Sequence, residues 1–293
     1  MRGSIVINGY PNGKKFLIQG EKIQKALIEL GVETDLLKNG EVYALIQNDG
    51  KIETVLSQKY DFVVYLDKDK YLGRMLESAG LRLFNNAHAI ETCDDKMTTY
   101  LALQGSGLKL AKTIPAPLCY TKNVKPNKEF LGRVAQELGF PLVIKKSYGS
   151  FGDGVHLVHG MTELEKIAEM FLHIPYFFQE YIEESCGRDI RVIVVGGKAL
   201  GGMERMAKPG EFRSNIELGG VGRKVELTRE YIEAAEQAAQ ALGLDYCGVD
   251  LLNTKTGPVI CEVNSNAFFE GFEKATGLDV AATYAKYIRS TIV

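Results

Sequence analysis

No apolar run in the 293 residues approaches the 18 or so needed to cross a bilayer, and Met1 to Ser4 lead straight into a strand-like Ile5-Val6-Ile7 without the apolar stretch and cleavage site of a secretion signal. The chain is therefore expected to be neither membrane-spanning nor secreted, and to work in the cytoplasm. A basic excess is also missing. Lys plus Arg number 35 against 37 Asp plus Glu, a net charge of -2, which discourages a groove built for nucleic-acid backbones. Cysteine is sparse and odd in number: Cys93, Cys119, Cys186, Cys247 and Cys261 form no close pair of metal-binding spacing, which fits a reducing compartment. His156 and His159 could be imagined as ligands with Asp153, but a strand through His156-Leu157-Val158-His159 sends their side chains to opposite faces. Two nucleotide motifs fail as well. Asn8-Gly9-Tyr10-Pro11-Asn12-Gly13 lacks the glycine spacing of a dinucleotide turn, and no Gly-Lys-Ser/Thr opens a helix as a Walker loop requires. No internal repeat or low-complexity linker occurs.

What is present reads as a soluble globular protein, 45% hydrophobic and 25% charged, long enough for two or three units around a cleft. Over the first ninety residues strands at Ser4 to Asn8, Val32 to Leu37 and Phe62 to Leu66 alternate with helix. Ile18, Ile23, Ala26, Leu27 and Leu30 mark one helical stripe that stops at Gly31, so a small parallel α/β sheet is expected. After Asp94 the texture becomes α+β and largely antiparallel. Helices are expected through Met97 to Leu103, up to Gly139, and from a cap at Thr228 to about Leu242. Strands are expected at Pro141 to Lys146, Val155 to Val158 and Pro175 to Ile182, with two more around Gly196-Gly197. The divisions expected are 1–93, 94–183 and 184–293.

The chemistry concentrates in a few places. Gly248 to Leu252 and Val259 to Asn264 form a hairpin. If Leu252 pairs with Pro258 across a turn from Asn253 to Gly257, Asp250 faces Ile260 and the even-numbered Asp250, Glu262 and Asn264 share one side. The odd-numbered Val249, Leu251, Val259, Cys261 and Val263 then fill the core. Two carboxylates and an amide suit a hard divalent ion that completes its shell with phosphate oxygens and water; a half-exposed hairpin with polar residues outward suits the same pattern. Upstream, Tyr148-Gly149-Ser150-Phe151-Gly152-Asp153-Gly154 joins two strands as a glycine flap behind Lys145, able to bring backbone N–H groups against anionic oxygens. Lys96 sits where a helix begins, a poor place for a cation unless an anion is near. Gln179-Glu180-Tyr181-Ile182 can present a strand edge to an adenine, and Asp189 can accept from ribose hydroxyls. Arg205, together with Arg213-Ser214-Asn215 in a glycine-bordered loop, could stabilise a phosphoryl group in transit.

That order of pieces resembles the ATP-grasp superfamily, specifically its RimK-like branch of carboxylate–amine ligases. Asp95-Lys96, Pro141 to Lys145, Gly149 to Gly154, Gln179 to Ile182, Gly187 to Arg191, Gly210 to Asn215, Gly248 to Asp250, Glu262 to Ser265 and Glu270 to Glu273 carry the resemblance, which covers most of 94 to 276. It implies an α/β N-terminal domain followed by an α+β grasp fold whose two lobes clamp ATP. Lys96, Lys145 and the flap (Tyr148, Gly149, Ser150, Gly152, Gly154) would hold phosphates, Glu180, Tyr181 and Ile182 the adenine, and Asp189 the ribose. Arg205, Arg213 and Asn215, with Ser214 between, would line the transfer zone; Asp250, Glu262 and Asn264 would bind one or two magnesium or manganese ions. The implied reaction joins an amino acid such as L-glutamate to a small carboxylate through an acyl phosphate, releasing ADP and phosphate. The alternatives are a peptide or protein acceptor, or a nucleotide sensor without turnover. No nucleic acid beyond ATP and no membrane is implied, and a homo-oligomer is compatible. One departure stands out: the family follows the metal asparagine with Ser, a small residue and Pro-Gly, where this chain has Ser265-Asn266-Ala267-Phe268-Phe269.

Overall fold

A computed structural model describes residues 1–10, 14–216 and 219–292. The first sheet is parallel throughout, in the order Glu33–Lys38, Arg2–Ile7, Phe62–Leu66, Arg82–Phe84. Phe62–Leu66 is buried at every position, as a strand covered on both faces must be. The helix Lys15–Glu29 follows the first strand and buries Ile23, Ala26 and Leu27. Gly31 ends that segment in the left-handed region at φ 79°, as the stripe required. The Pro11 to Gly13 part of the rejected dinucleotide turn lies outside the described residues.

The two other large sheets are antiparallel. A second sheet runs Thr113–Pro115, Tyr176–Glu180, Leu142–Lys146, Val155–Val158, packed under helices Lys128–Leu138 and Met161–Phe171. A third runs Val221–Val225, Lys198–Met206, Arg188–Val195, Tyr246–Thr254, Gly257–Asn264. The helix Arg229–Ala241 covers one face of this sheet. Thr228 occupies its N-cap position, but no side-chain hydrogen bond caps the helix. The α/β beginning and α+β continuation expected from the sequence are therefore both present. Among the described residues no helix is long and apolar enough to cross a membrane.

One apolar core joins the first sheet to the third. Ile5, Ile7, Leu27, Phe62 and Phe84 pack with Ile193, Tyr246, Phe269, Tyr284 and Ile288, and Tyr246 stacks on Tyr284 with centroids 4.9 Å apart. Asn85 fastens the junction. Its amide donates to the carbonyls of Tyr246 and Ser265, each at 2.8 Å, and accepts from the N–H groups of Asp245 and Tyr246. A buried carboxamide with all of these bonds made adds specificity without leaving a polar atom unpaired.

The hairpin corrects one expectation. The turn is shorter, with Thr254 opposite Gly257, Asn253 opposite Pro258 and Leu252 opposite Val259. The register then slips between Asp250 and Leu251, so Asp250 lies opposite Glu262 and not Ile260. A bulge of this kind sets two residues against one and re-aims side chains. Ile260 joins Leu251 in the core while Cys261 lines the cleft beside Glu262. A strict odd–even rule had sent Cys261 inward with Val259.

Candidate active site

The second and third sheets face one another across a cleft, and most of the chemically distinctive residues meet there. Lys96, Lys145, Gly149, Ser150, Gly152, Glu180, Tyr181, Ile182, Asp189, Arg205, Arg213, Ser214, Asn215, Asp250 and Glu262 line a single cavity. Tyr148 and Gly154 are outside its lining. Asn264 lines an adjoining cavity of about 210 Å³, which it shares with Arg205, Asn215 and Glu262.

Local structure explains each placement. Lys145 is next to last in the buried strand Leu142–Lys146, and its ammonium donates to Gln179 Oε1 on the neighbouring strand at 2.7 Å. Asp95 caps the helix Lys96–Ala102 by accepting from Met97 N and Thr98 N, so the macrodipole is met by an anion before any ligand arrives. Lys96 is thereby free to reach across: its Nζ donates to Gly149 O at 2.8 Å and lies 3.2 Å from Glu262 Oε1. The flap is held from three further directions. Arg213 Nη1 donates to Gly152 O at 3.0 Å, Lys68 Nζ donates to Ser150 Oγ at 3.3 Å, and Phe151 stacks on Phe268 at 6.1 Å.

The centre of the site is an alternating array of buried charges set by strand register. Asp189 lies opposite Arg205, and Arg191 lies opposite Asp250. Arg205 clamps both oxygens of Asp189, at 2.6 and 2.5 Å, and comes within 2.8 Å of Asp250 Oδ2. Arg191 takes both oxygens of Asp250 at 2.7 Å. Burial pushes the Asp250 carboxyl up, but Arg191 and Arg205 outweigh it and hold the group below its ordinary value. Burial likewise opposes the charge of Arg205, and the two aspartates hold it firmly protonated. Asp189 also accepts from Ser214 Oγ at 2.5 Å. Both oxygens of Asp189 are engaged and 6% of its surface is exposed, within the lining of the cleft. In the arginine loop, its hydrogen bonds to Arg213 hold the Glu211 carboxyl down to about 2.

Three contributors escaped the sequence reading. Arg191 is two residues from Asp189 on one strand, so it shares that face; this parity was the available signal. Gln179 was legible only as part of a strand edge. Cys261 depends on the bulge. Its thiol lies 3.9 Å from Lys145 Nζ, yet burial pushes it up against the pull of that cation, so it stays a neutral wall. Among the described residues no three His, Cys, Asp or Glu side chains gather as a ready metal cage.

The unusual loop divides its two aromatics between core and site. Phe269 is 1% exposed in the shared core, whereas Phe268 stands in the wall of two cavities. Phe268 also meets Phe16 edge-on at 4.9 Å, so it ties the first helix to the flap. Aromatic pairs contribute about 0.5–1.5 kcal/mol each beyond burial. Phe268→Ala is accordingly expected to speed hydrogen exchange at the Gly149 to Gly154 amides by roughly twofold to tenfold. Exchange at the wild-type rate would mean that Phe268 does not hold the flap.

Set against known proteins, the family described as the RimK-like ATP-grasp domain matches residues 94–288. The chain is 38% identical over 231 residues to beta-citrylglutamate synthase B of Danio rerio, covering 78% of this chain and 56% of that protein. It is 39% identical over 221 residues to a probable alpha-L-glutamate ligase of Marinomonas sp. (strain MWYL1), covering 74% and 70%. The chain thus spans little more than half the length of the vertebrate relative. In structure it superposes on the D-alanine–D-alanine ligase from Bacillus anthracis complexed with ATP with a TM-score of 0.73, over 100% of this chain and 97% of that one. At 20% identity, what those two share is the fold.

Proposed function

This chain belongs to the RimK-like ATP-grasp family, a family that binds ATP, and on that premise we propose that it is an ATP-dependent ligase joining an amino acid to a carboxylic acid. The observation that carries the reading is the position of Arg205. This buried, ion-paired guanidinium lines the nucleotide cleft and both cavities behind it. A ligase of this kind has three substrates, and three seats meeting at one fixed cation are what it requires.

In this reading Lys96, Lys145 and the flap amides hold the phosphates, and Glu180 to Ile182 hold the adenine. The halves on either side of residue 184 clamp the nucleotide between them. Asp250, Glu262 and Asn264 fit a magnesium or manganese ion in donor chemistry. All offer oxygen, on paired positions Asp250 opposite Glu262 and Gly248 opposite Asn264, and the Glu262 side chain is 29% exposed. Asp250 would serve such an ion jointly with its arginines, and phosphate and water oxygens would complete one or two shells. When bound, the ion supplies charge neutralisation on the phosphates.

The substrate carboxylate attacks the γ-phosphorus, ADP departs, and the resulting acyl phosphate is opened at its carbonyl carbon by the amine, releasing inorganic phosphate. Arg205, Arg213 and Asn215 face the oxygens on which charge grows, already oriented by Asp189 and Glu211, so little reorganisation is needed. The closed flap keeps water from the acyl phosphate.

L-Glutamate with citrate is the first pair to try, because the relatives above are named as a beta-citrylglutamate synthase and a probable alpha-L-glutamate ligase. Magnesium-dependent phosphate release, accompanied by a product of the summed mass less one water, is expected from one member of a panel of amino acids and carboxylic acids. Tight ATP binding with no release across the panel would remove the small-acid reading and leave a peptide or protein acceptor or a nucleotide sensor.

A further inference from the structure

Two exposed apolar surfaces lie outside the cleft, on different parts of the chain. The first is a groove of about 330 Å³ formed by the connection 117–127 together with the start of the helix Lys128–Leu138, Leu172 and Tyr176. Leu131, Leu172 and Tyr176 are buried and make its floor. The rim is open. Leu118, Tyr120 and Val124 are all exposed, Tyr120 to 88%, on a stretch that belongs to no helix or strand and so cannot fold them away. The surroundings are one-sided in charge: from Met97 to Lys128 the sequence carries Lys109, Lys112, Lys122, Lys125 and Lys128 and no acidic residue. Lys122 and Lys125 are exposed and enter no ion pair among the described residues, and Lys125 lines the groove.

The second surface is the hairpin in which Leu45–Ile46 pairs with Ile52–Glu53, a two-stranded sheet of its own. Sheets this small are marginal in water without something packed against them. Here Tyr43, Leu45, Ile46 and Val55 are exposed, Ile46 to 61%. The charge is the reverse of the groove's. Over residues 41–55 stand Glu41, Asp49 and Glu53 against Lys51. Asp49 takes Lys51 at 3.0 Å, while Glu41 accepts only from Lys38 N and Glu53 from Gln47 Nε2, so neither glutamate meets a cation among the described residues.

Exposed apolar patches rimmed by charge mark association surfaces. We propose that these two are halves of one interface: the hairpin of one copy seats in the groove of a second, and the reciprocal contact closes the pair on a two-fold axis. The apolar hairpin side chains meet the Tyr120 rim, and Glu41 and Glu53 meet Lys122 and Lys125. A second copy is the occupant because the chain carries its own complement, in apolar character and in sign of charge. Neither surface lines the nucleotide cleft, so the pairing stands or falls separately from the ligase reading.

Sedimentation velocity over a micromolar concentration series tests the pairing. The wild type is expected to pass from one chain to two as concentration rises. Ile46→Asp and Tyr120→Asp, both at exposed positions, should each weaken pairing by about tenfold or more, since either change disables both contacts of a symmetric pair. An equimolar mixture of the two variants keeps one undamaged contact, the hairpin of the Tyr120→Asp copy in the groove of the Ile46→Asp copy. The mixture should therefore pair several-fold more tightly than either variant alone, and that rescue also shows both variants to be folded. Changing Lys122→Glu and Lys125→Glu together should weaken wild-type pairing several-fold. A wild type that stays a single chain, assemblies that grow beyond two, a variant that pairs as tightly as the wild type, or a mixture no better than its parts would each overturn the proposal.

Discussion

Asp250→Ala is expected to abolish turnover and to lower folding stability by about 3–5 kcal/mol, the cost of stripping one partner from a buried ion pair. The residue is 3% exposed and meets two arginines at 2.7 and 2.8 Å. Arg205 is itself 4% exposed, so loss of the carboxylate leaves positive charge in a low-dielectric interior with only Asp189 to balance it. Phosphate release and denaturant unfolding on the same preparation check both effects. Full turnover would remove Asp250 from the site. Unchanged stability would show that Asp189 alone balances Arg205. The pH dependence follows with a definite sign: the folded carboxyl is held below its ordinary value, so its stabilisation is present at neutral pH and disappears only as the pH falls below about 3.9 toward its folded value.

How far the sequence could be read follows from which forces act locally. Periodicity and glycine fixed the first helix and its end at Gly31, because the helix repeat and a left-handed cap are properties of a few adjacent residues. The convergence of lysines, flap, arginine loop and acidic hairpin was also legible, as an order of residue types. Pairing was not. Whether Asp250 faces Ile260 or Glu262 depends on a one-residue bulge, which no pattern of alternation announces. The ion-pair lattice followed the same rule: Asp189 could be singled out, but its engagement by Arg205 requires the register of two strands sixteen residues apart in sequence. Phe268 and Phe269 looked equivalent in the sequence. One became core and the other a wall between cavities, a division made by the helix Lys15–Glu29 packing against them from the far end of the chain.

Glu262→Ala should separate chemistry from folding where Asp250→Ala combines them. Both residues carry carboxylates on paired strands, but the Glu262 side chain is 29% exposed and its ion pair is with Lys96, 12% exposed, at 3.2 Å. Lys96 keeps a second contact, to Gly149 O, so removing Glu262 strands no fully buried charge, and the stability change should stay within about 1 kcal/mol. Activity should respond very differently. If Glu262 helps to hold the divalent ion, its loss withdraws transition-state charge stabilisation, and a fall of about 10²–10³ in kcat is the scale set by deleting one such group. Raising the magnesium concentration should recover part of the rate, as it would not if the glutamate served only to position Lys96. Lys96→Met supplies the control, since it removes the phosphate cation while leaving Glu262 in place, and its defect should be insensitive to added magnesium. A Glu262→Ala enzyme with wild-type kcat and an unchanged magnesium requirement would mean that the ion, wherever it binds, does not use this strand.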